Sequence, residues 1–208
     1  MAEQGKLIVL EGIDDAALSE LAASLCRRLR EGQAAVEQTR EPTYGPAGAQ
    51  VLLARQGRLQ LDPVSLALLC LADRLDHLHQ GGVLAWLEQG RHVVCVHYAL
   101  AAYARQWGQV DWEWQRQIDA PCRAPDLTLL VDLPGAQDPL RMAYLHAAAR
   151  LQEEGQAVVV VDGSSGADEV LSICRRHVCD LLKVPGTCGA CRSDRMRKPH
   201  SAWHLGAV

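Results

Sequence analysis

Four short apolar runs constrain the fold of this chain more than any other feature. Each run is continuous rather than alternating in hydrophobicity, and each contains β-branched residues. Continuous apolarity indicates a strand buried on both faces, which is the situation of parallel strands between two layers of helices. The runs lie at residues 6–10, 92–96, 127–131 and 157–161, and a weaker run at 34–39 is a candidate fifth strand.

Helical patterns separate these runs. In each of them apolar residues recur at spacings of three or four, as on the inward face of a helix. The first stripe consists of Leu18, Leu21, Leu25 and Leu29, and comparable stripes occupy residues 63–88, 139–153 and 167–182. Strands that alternate with helices form right-handed βαβ units. The sequence therefore predicts an α/β fold, with one three-layer domain built on a mainly parallel five-stranded sheet.

The chain length fits one domain with a short appendage. It has 208 residues and a mass of 22.7 kDa, which is too short for two full domains. After residue 182, Pro185 and Gly186 end any helix, and a basic segment with Cys and His residues follows. We predict a domain at residues 1–183 and a short C-terminal Cys/His tail at 184–208.

Charge and hydropathy exclude several classes of partner. Lys and Arg number 21 against 25 Asp and Glu, for a net charge of −4, so a surface that is basic throughout is excluded and nucleic acid is not an expected partner. The first residues do not resemble a secretory signal peptide, because they lack a basic segment followed by a long apolar one. No apolar run in the sequence is long enough to cross a membrane. We expect a cytoplasmic protein whose eight Cys are thiols or metal ligands.

The segment at residues 10–19 has the position of a phosphate-binding loop (P-loop), because it follows the first strand and precedes the first helix. Such a loop has Gly, four residues, Gly-Lys and then Ser or Thr. Counted from Gly12, the last three positions are Ala17, Leu18 and Ser19. Only Gly12 and Ser19 keep the pattern, and Asp15 adds a carboxylate to a loop that normally surrounds anions. The fold is expected to be of the P-loop type with degenerate loop chemistry.

Several segments together resemble the thymidylate kinase family across residues 6–182. They are Leu-Ile-Val-Leu-Glu-Gly-Ile-Asp at 7–14, Thr-Arg-Glu-Pro at 39–42, Ala-Asp-Arg at 72–74, the strand ending in Val-His-Tyr at 96–98, and 124–132. The resemblance implies a nucleoside monophosphate kinase fold and a possible homodimer packed through helices. It also implies a vestigial nucleotide-binding set: Gly12, Asp14, Ser19, Arg40, Arg74 and Tyr98.

The departures from the family pattern concern charge. In the family's Asp-Arg-Tyr motif the Asp helps to hold magnesium and the Arg holds the acceptor phosphate, whereas this chain has Val96 and His97. The family's arginine-bearing lid is represented only by Arg141 and Arg150. Phosphoryl transfer needs positive charge around the moving group, and Leu18 offers none. The sequence predicts a catalytically degenerate member, a pseudokinase without catalytic residues, that binds a nucleotide or an unknown protein partner.

Two alternative functions follow from other residues. The first is an active dTMP kinase that uses ATP and magnesium, with missing charges supplied by Lys6, Arg40, Arg74, Arg105 or a neighbouring subunit. The second is a zinc-binding adaptor. Two Cys on a tight turn and two His one helical turn apart suit a tetrahedral zinc site: Cys188, Cys191, His200 and His204. His177 and Cys179 are close enough in sequence to compete as ligands, and the opposing interpretation is a basic tail that binds no metal.

Some candidate residues have a structural interpretation beside the functional one. Arg74 is either part of an ion pair on a solvated surface or a contact for the monophosphate. Asp14 either meets a sugar hydroxyl or stabilises the start of a helix. His97 follows a buried strand, where histidine is usually structural. The tryptophans at 107, 112 and 114 are expected to fill the core or a protein interface.

Overall fold

The computed structural model describes residues 4–79, 82–135 and 138–183. Five parallel strands form one sheet in the order β2-β3-β1-β4-β5. The strands are β1 (Leu7–Gly12), β2 (Val36–Arg40), β3 (His92–Val96), β4 (Leu127–Asp132) and β5 (Val158–Asp162). The predicted α/β fold with a five-stranded sheet is confirmed, and the weak fifth run is the edge strand β2.

Eight α-helices lie in the described part of the chain. They are α1 (Asp15–Glu31), α2 (Pro46–Arg55), α3 (Pro63–His79), α4 (Val83–Glu88), α5 (Ala99–Arg105), α6 (Trp112–Asp119), α7 (Pro139–Glu153) and α8 (Ala167–Leu182), with a 3-10 turn at Gly163–Ser165. The stripe at 63–88 was expected to be a single helical pattern, but it forms two helices. Gly82 precedes α4 with a φ of 83°, a left-handed conformation that an α-helix cannot continue through.

Helices cover both faces of the sheet. The leucine stripe of α1 packs with α8 on one face, and Leu18, the first residue of the stripe, is only 2% exposed. On the other face α5 and α7 pack over β4, and α4 packs over β1 and β3. The inward-packing interpretation of Leu18 is confirmed. Since burial of a Leu side chain stabilises a fold by about 1.5–3 kcal/mol, this stripe contributes strongly to the core.

The sheet register brings two loops together. Leu10 of β1 pairs with Val96 of β3, so the segment after Gly12 and the residue His97 both leave the same edge of the sheet. In open parallel sheets, ligands bind outside the carboxyl ends of the strands. The topology therefore places the P-loop segment and His97 at the position of the candidate site.

Trp107 and Trp112 contact neighbouring side chains, but Trp107 lies at the surface and is 36% exposed. The Trp107 ring stacks on His146 with a centroid distance of 5.6 Å, and it meets the edge of Trp112 at 5.8 Å. Trp112 Nε1 donates to Glu154 at 2.8 Å. The expectation that Trp107 fills the core is therefore wrong, and its role in a protein interface stays a prediction. Trp112 is partly buried against the core around α5 and α7. Among the described residues no helix is both long enough and apolar enough to cross a membrane.

Candidate functional site

The amides at the start of α1 are hydrogen-bonded to the loop's own side chain. Asp14 Oδ1 accepts hydrogen bonds from the amides of Ala16 and Ala17, both at 3.0 Å. First-turn amides have no partner within a helix, and in a phosphate-binding loop they are offered to the anion. Here Asp14 is the N-cap of α1, which confirms the prediction that it stabilises the start of a helix. Its contact with a nucleotide stays a prediction.

Leu18 and Ser19, at the positions of the P-loop lysine and hydroxyl, also make contacts within the protein. Leu18, at the position of the P-loop lysine, packs into the core beside Gly12. A Cβ at Gly12 would lie 3.7 Å from both Leu18 methyl groups and 2.7 Å from the carbonyl oxygen of Val131. Ser19 Oγ donates to the carbonyl of Asp15 at 2.7 Å. The hydroxyl that could meet magnesium is thus hydrogen-bonded within the helix.

Asp15 lies among cations rather than alone in the loop. Its carboxylate accepts from His97 Nε2 at 2.9 Å, and Nη2 atoms of Arg40 and Arg105 are each 3.9 Å away. The hydrogen bond from His97 lowers the pKa of Asp15 to about 2, with smaller contributions from the charges of His97 and Arg105. Asp15 is therefore ionised at neutral pH, and part of the cleft's positive charge is directed at it.

His97 connects two carboxylates. It has no exposed surface, and its Nδ1 lies 3.0 Å from Glu11 Oε2 while Nε2 faces Asp15. Carboxylate groups on both sides favour the protonated imidazole, which can donate from both ring nitrogens. Burial opposes the charged form, but the hydrogen bonds with Asp15 and Glu11 outweigh it and raise the pKa of His97. The structural interpretation of His97 is supported, and its φ of 62° fits a residue held by such partners.

Glu11 organises the end of β1, a role that the sequence patterns did not reveal. Its Oε1 accepts from the amides of Tyr98 at 2.9 Å and Ala101 at 3.2 Å, at the start of α5. Its Oε2 faces His97, so one fully buried carboxylate holds both the helix start and the imidazole. The sequence signal that could have identified Glu11 is its position as an acidic residue at the end of an otherwise apolar strand.

Arg74 is buried, so the expectation of an ion pair on a solvated surface is wrong. It is 1% exposed, with Nε 3.1 Å from Glu41 Oε2 and Nη1 2.6 Å from Asp119 Oδ1. Its guanidinium lies 4.8 Å from the centre of the Tyr98 ring. Burial disfavours its charge, but the carboxylates of Glu41 and Asp119 raise the pKa of Arg74 well above its usual range. The partners lie 33 and 45 residues away, beyond any local pattern.

Tyr98, the two arginines of the lid segment and Lys6 all contact other protein groups and not the loop. Tyr98 Oη donates to the carbonyl of Arg123 at 2.9 Å. Both lid arginines bind carboxylates: Arg141 contacts Asp132 at 2.6 and 2.8 Å, and Arg150 contacts Glu113 at 2.9 Å. Lys6, a proposed substitute cation, pairs with Asp126 at 3.5 Å. Of the substitutes considered, only Arg40 and Arg105 approach the loop.

A cleft of about 740 Å³ lies beside the loop, and two arginines line it. Arg55 comes from the last turn of α2 and Arg105 from the last turn of α5. Within the described residues, Arg55 Nη1 and Arg105 Nε are buried without a hydrogen-bond partner, as is Tyr144 Oη. Burial, followed by the nearby charge of Arg105, lowers the pKa of Arg55. Arg55 was not a candidate from the sequence because it belongs to no motif.

The position of the family's magnesium ligand carries no metal-binding side chain. Val96, at the position of the family's magnesium-binding Asp, is buried in the core. Across residues 4–79, 82–135 and 138–183, no group of three or more His, Cys, Asp or Glu could hold a metal ion. The proposed zinc ligands Cys188, Cys191, His200 and His204 lie outside the described residues, so the zinc site stays a prediction.

Comparison with known proteins identifies the family. The model of the family described as thymidylate kinase matches residues 10–160. This chain belongs to the thymidylate kinase family. The thymidylate kinase resemblance drawn from the motifs is therefore confirmed, and the loop described above is this family's loop with altered residues.

Named relatives support the same assignment. The thymidylate kinase of Xanthomonas campestris pv. campestris (strain B100) is 34% identical over 212 aligned positions, covering 88% of each chain. That of Bordetella petrii is 34% identical over 167 positions, covering 76% of this chain and 77% of the relative. A probable thymidylate kinase of Pyrococcus abyssi is 34% identical over 137 positions, covering 63% of this chain and 66% of the relative.

Proposed function

We propose that this thymidylate kinase family member no longer transfers phosphate from ATP to dTMP, and that its retained cleft serves to bind a nucleotide or a partner. One observation carries the proposal: Leu18, at the position of the P-loop lysine, is packed into the core and only 2% exposed. The loop therefore offers no ammonium group to the phosphates of a triphosphate. The homodimer, the protein partner and the cytoplasmic location remain predictions.

The energy balance supports the loss of turnover. A triphosphate in this loop would face the ionised carboxylate of Asp15, and Leu18 supplies no ammonium group in return. Because about 1.4 kcal/mol changes a rate tenfold, several such deficits together lower the rate by orders of magnitude.

A direct test measures ADP formation by the purified full chain with ATP, magnesium and dTMP. We expect no rate above that of the no-enzyme control, while the Xanthomonas campestris relative, assayed alongside, reports whether the conditions suit a thymidylate kinase. A kcat on the order of 1 s⁻¹, the lower end of the usual range for kinases, would overturn the proposal.

A pair of variants tests the cause of the loss. Asp15→Gly with Leu18→Lys removes the extra carboxylate and restores the ammonium group, whereas Asp15→Gly with Leu18→Met leaves the charge absent. We expect magnesium-dependent ATP binding, measured by calorimetry, to be stronger in the lysine variant. Equal affinity in the two variants would contradict the role assigned to the missing lysine.

The two arginines of the cleft favour a second candidate, an active dTMP kinase with relocated charges. Arg55 and Arg105 line the space beside the loop, and each has one buried nitrogen without a hydrogen-bond partner among the described residues. This candidate predicts that the unaltered chain binds ATP with magnesium. Calorimetry with ATP, with and without the metal, tests this second candidate, because an absence of heat in both titrations rejects the active kinase.

A further inference from the structure

We propose that a groove around Trp107 is the docking surface for the basic tail of the chain itself, residues 184–208. This Trp107 groove is lined by side chains of α5, α6, α7 and the loop between α5 and α6, among them Tyr103, Asp111, Trp112 and Arg150. It shares no lining residue with the cleft beside the P-loop segment. The inference therefore goes beyond the proposed function, because it requires neither a nucleotide nor that cleft.

Aromatic side chains form the surface of the groove. The Trp107 ring is 36% exposed and lies nearly parallel to the His146 ring, with an interplanar angle of 14°. Trp112 meets the edge of Trp107 at 5.8 Å and lies 5.1 Å from Tyr103. The cavity beside these rings measures about 440 Å³. A tryptophan that is held in place by other rings and is still exposed suits a partner surface, because rigid aromatic residues are enriched where proteins bind one another.

These rings already bind arginine side chains of the domain. The guanidinium group of Arg150 lies 5.1 Å from the centre of the Trp112 ring, and that of Arg116 lies 5.7 Å from the centre of the Tyr103 ring. A guanidinium group is attracted to an aromatic ring by its charge and stacks on it by its planar shape. The exposed part of the Trp107 ring can bind an arginine from another segment in the same way.

The carboxylates at the groove outnumber the arginines. Arg150 pairs with Glu113 at 2.9 Å. Arg116 pairs with Glu154 at 2.8 Å, and Asp111 is a third carboxylate that lines the groove. The side chain of Glu113 is 70% exposed, so a further cation can reach it. The groove is therefore both aromatic and negative, which is the combination that a guanidinium group binds well.

The tail carries the opposite charge. Residues 184–208 contain one Asp and four basic side chains, for a net charge of +3: Arg192, Arg195, Arg197 and Lys198. The other 183 residues contain 17 Lys and Arg against 24 Asp and Glu, for a net charge of −7. Opposite charges steer two surfaces together and fix their orientation. The arginines of the tail therefore fit the Trp107 groove both in charge and in their affinity for aromatic rings.

The tail begins close enough to reach the groove. α8 ends at Leu182, after it has run back from the end of β5 toward the amino ends of the strands. Trp112 lies toward the same edge of the sheet, because it bonds to Glu154, four residues before β5 begins. An extended chain spans about 3.3–3.6 Å per residue, so Arg195 can lie roughly 40 Å from the end of α8, which is comparable with the diameter of a domain of this size.

The experiment compares nitrogen–proton NMR spectra of the full chain and of its variants, in a buffer that contains a reductant and a chelator. The tail variant combines Arg192→Gln, Arg195→Gln and Arg197→Gln. The matched control removes three exposed arginines of the domain: Arg27→Gln, Arg28→Gln and Arg58→Gln. Both variants lose the same charge, so only an effect specific to the tail distinguishes them.

The first measurement is the indole Nε1–H signal of Trp107, which is assigned by its loss in Trp107→Leu. We expect this signal to shift in the tail variant and to stay in place in the matched control. Salt at about 0.5 M should shift the signal of the unaltered chain in the same direction, because salt screens exposed ion pairs. The indole signal of Trp86, which belongs to α4, should not move in either variant.

The second measurement is the reverse effect. Trp107→Leu should move the backbone amide signals of residues 192–198 toward their positions in about 0.5 M salt. Tyr44→Leu, which removes a ring that is 84% exposed and lies outside the groove, is the control and should leave those signals unchanged. A melting curve for each variant shows that it is folded.

Each outcome has a defined meaning. A Trp107 shift confined to the tail variant, together with the reverse effect of Trp107→Leu, supports docking of the tail in the groove. An unmoved Trp107 signal in the tail variant, or an equal shift in the matched control, overturns the proposal, as do tail signals that ignore Trp107→Leu. Effects that disappear on dilution identify the tail of a second copy as the occupant and overturn docking within one chain. Kinase turnover in the separate ADP assay would reject the proposed function alone.

Discussion

His97 donates a hydrogen bond from Nε2 to the carboxylate of Asp15 over 2.9 Å, and this contact joins the residue after β3 to the first residue of α1. The second ring nitrogen faces Glu11 at 3.0 Å. In this chain the imidazole of His97 lies between two carboxylates at the position where the thymidylate kinase family has an arginine. Because these contacts involve titratable groups, the stability of the folded chain should depend on pH.

The first prediction concerns that pH dependence. The pKa of His97 is raised above 6.5 in the folded chain. Its contribution to the unfolding free energy is therefore complete below pH 6.5, and it is lost as the pH rises through the pKa of the folded state. The pKa of Asp15 is lowered from 3.8 to about 2, so its contribution is complete above 3.8 and is lost as pH falls toward 2. We expect the interaction to be strongest between about pH 4 and 6.5.

Urea unfolding of the unaltered chain and of His97→Gln at pH 5.5 and pH 9 measures this effect. The difference in unfolding free energy between the two proteins should be larger at pH 5.5. Glu31→Gln, which removes an exposed carboxylate paired with Arg28, serves as a control for general charge effects. A difference that grows toward pH 9 would show that His97 is neutral in the folded chain.

The second prediction concerns Leu18. Its side chain is 2% exposed and belongs to the core between α1, α8 and the sheet, so Leu18→Ala should lower the unfolding free energy by about 2–5 kcal/mol. Leu68→Ala removes a leucine that is 46% exposed on α3 and should cost much less. Chemical denaturation compares the two variants. Equal losses would contradict the packing of Leu18 as a core residue.

The third prediction concerns the cap at the start of α1. Asp14→Ala removes the acceptor of two amide hydrogen bonds, so we expect a loss of about 0.5–2 kcal/mol in unfolding free energy. Glu20→Ala changes an exposed carboxylate on the same helix without removing a cap and should have little effect. Thermal or urea unfolding measures both, and hydrogen exchange at the Ala16 and Ala17 amides should become faster only in Asp14→Ala.

The fourth prediction concerns the buried Arg74. Arg74→Met leaves the carboxylates of Glu41 and Asp119 buried without their cation, so we expect a loss of about 3–5 kcal/mol. A triple variant that adds Glu41→Gln and Asp119→Asn removes the uncompensated charges and should recover part of that loss. Urea unfolding at neutral pH measures both proteins. A triple variant no more stable than Arg74→Met would argue against the charge explanation.

Patterns along the chain were sufficient for the fold. Continuous apolar runs indicate strands that are buried on both faces, and the leucine stripe of α1 indicates which helix face meets the sheet. Both patterns are made by residues that are close together in the sequence, so they can be recognised without the structure. The break between α3 and α4 was missed because apolar spacing resumes after Gly82, although the glycine pair at 81–82 is a visible helix-breaking signal in the sequence.

The site was less predictable, for a physical reason. The bond between Glu11 and His97 spans 86 residues, and that between Arg74 and Asp119 spans 45, so no local spacing contains them. The altered loop positions were visible in the sequence, because a motif fixes what should stand at each position. Arg55 carries no motif and becomes a candidate only once α2 and α5 are placed around the same cleft.

The charged chain from Glu11 through His97 to Asp15 also limits how this protein can change. If alanine replaced His97, both carboxylates would lose the imidazole between them, and if glycine replaced Asp15, the imidazole would lose one of its two partners. Substitutions at these contacting positions are therefore expected to have non-additive effects on stability. The residue at any one of the three positions sets which side chains the other two can accept.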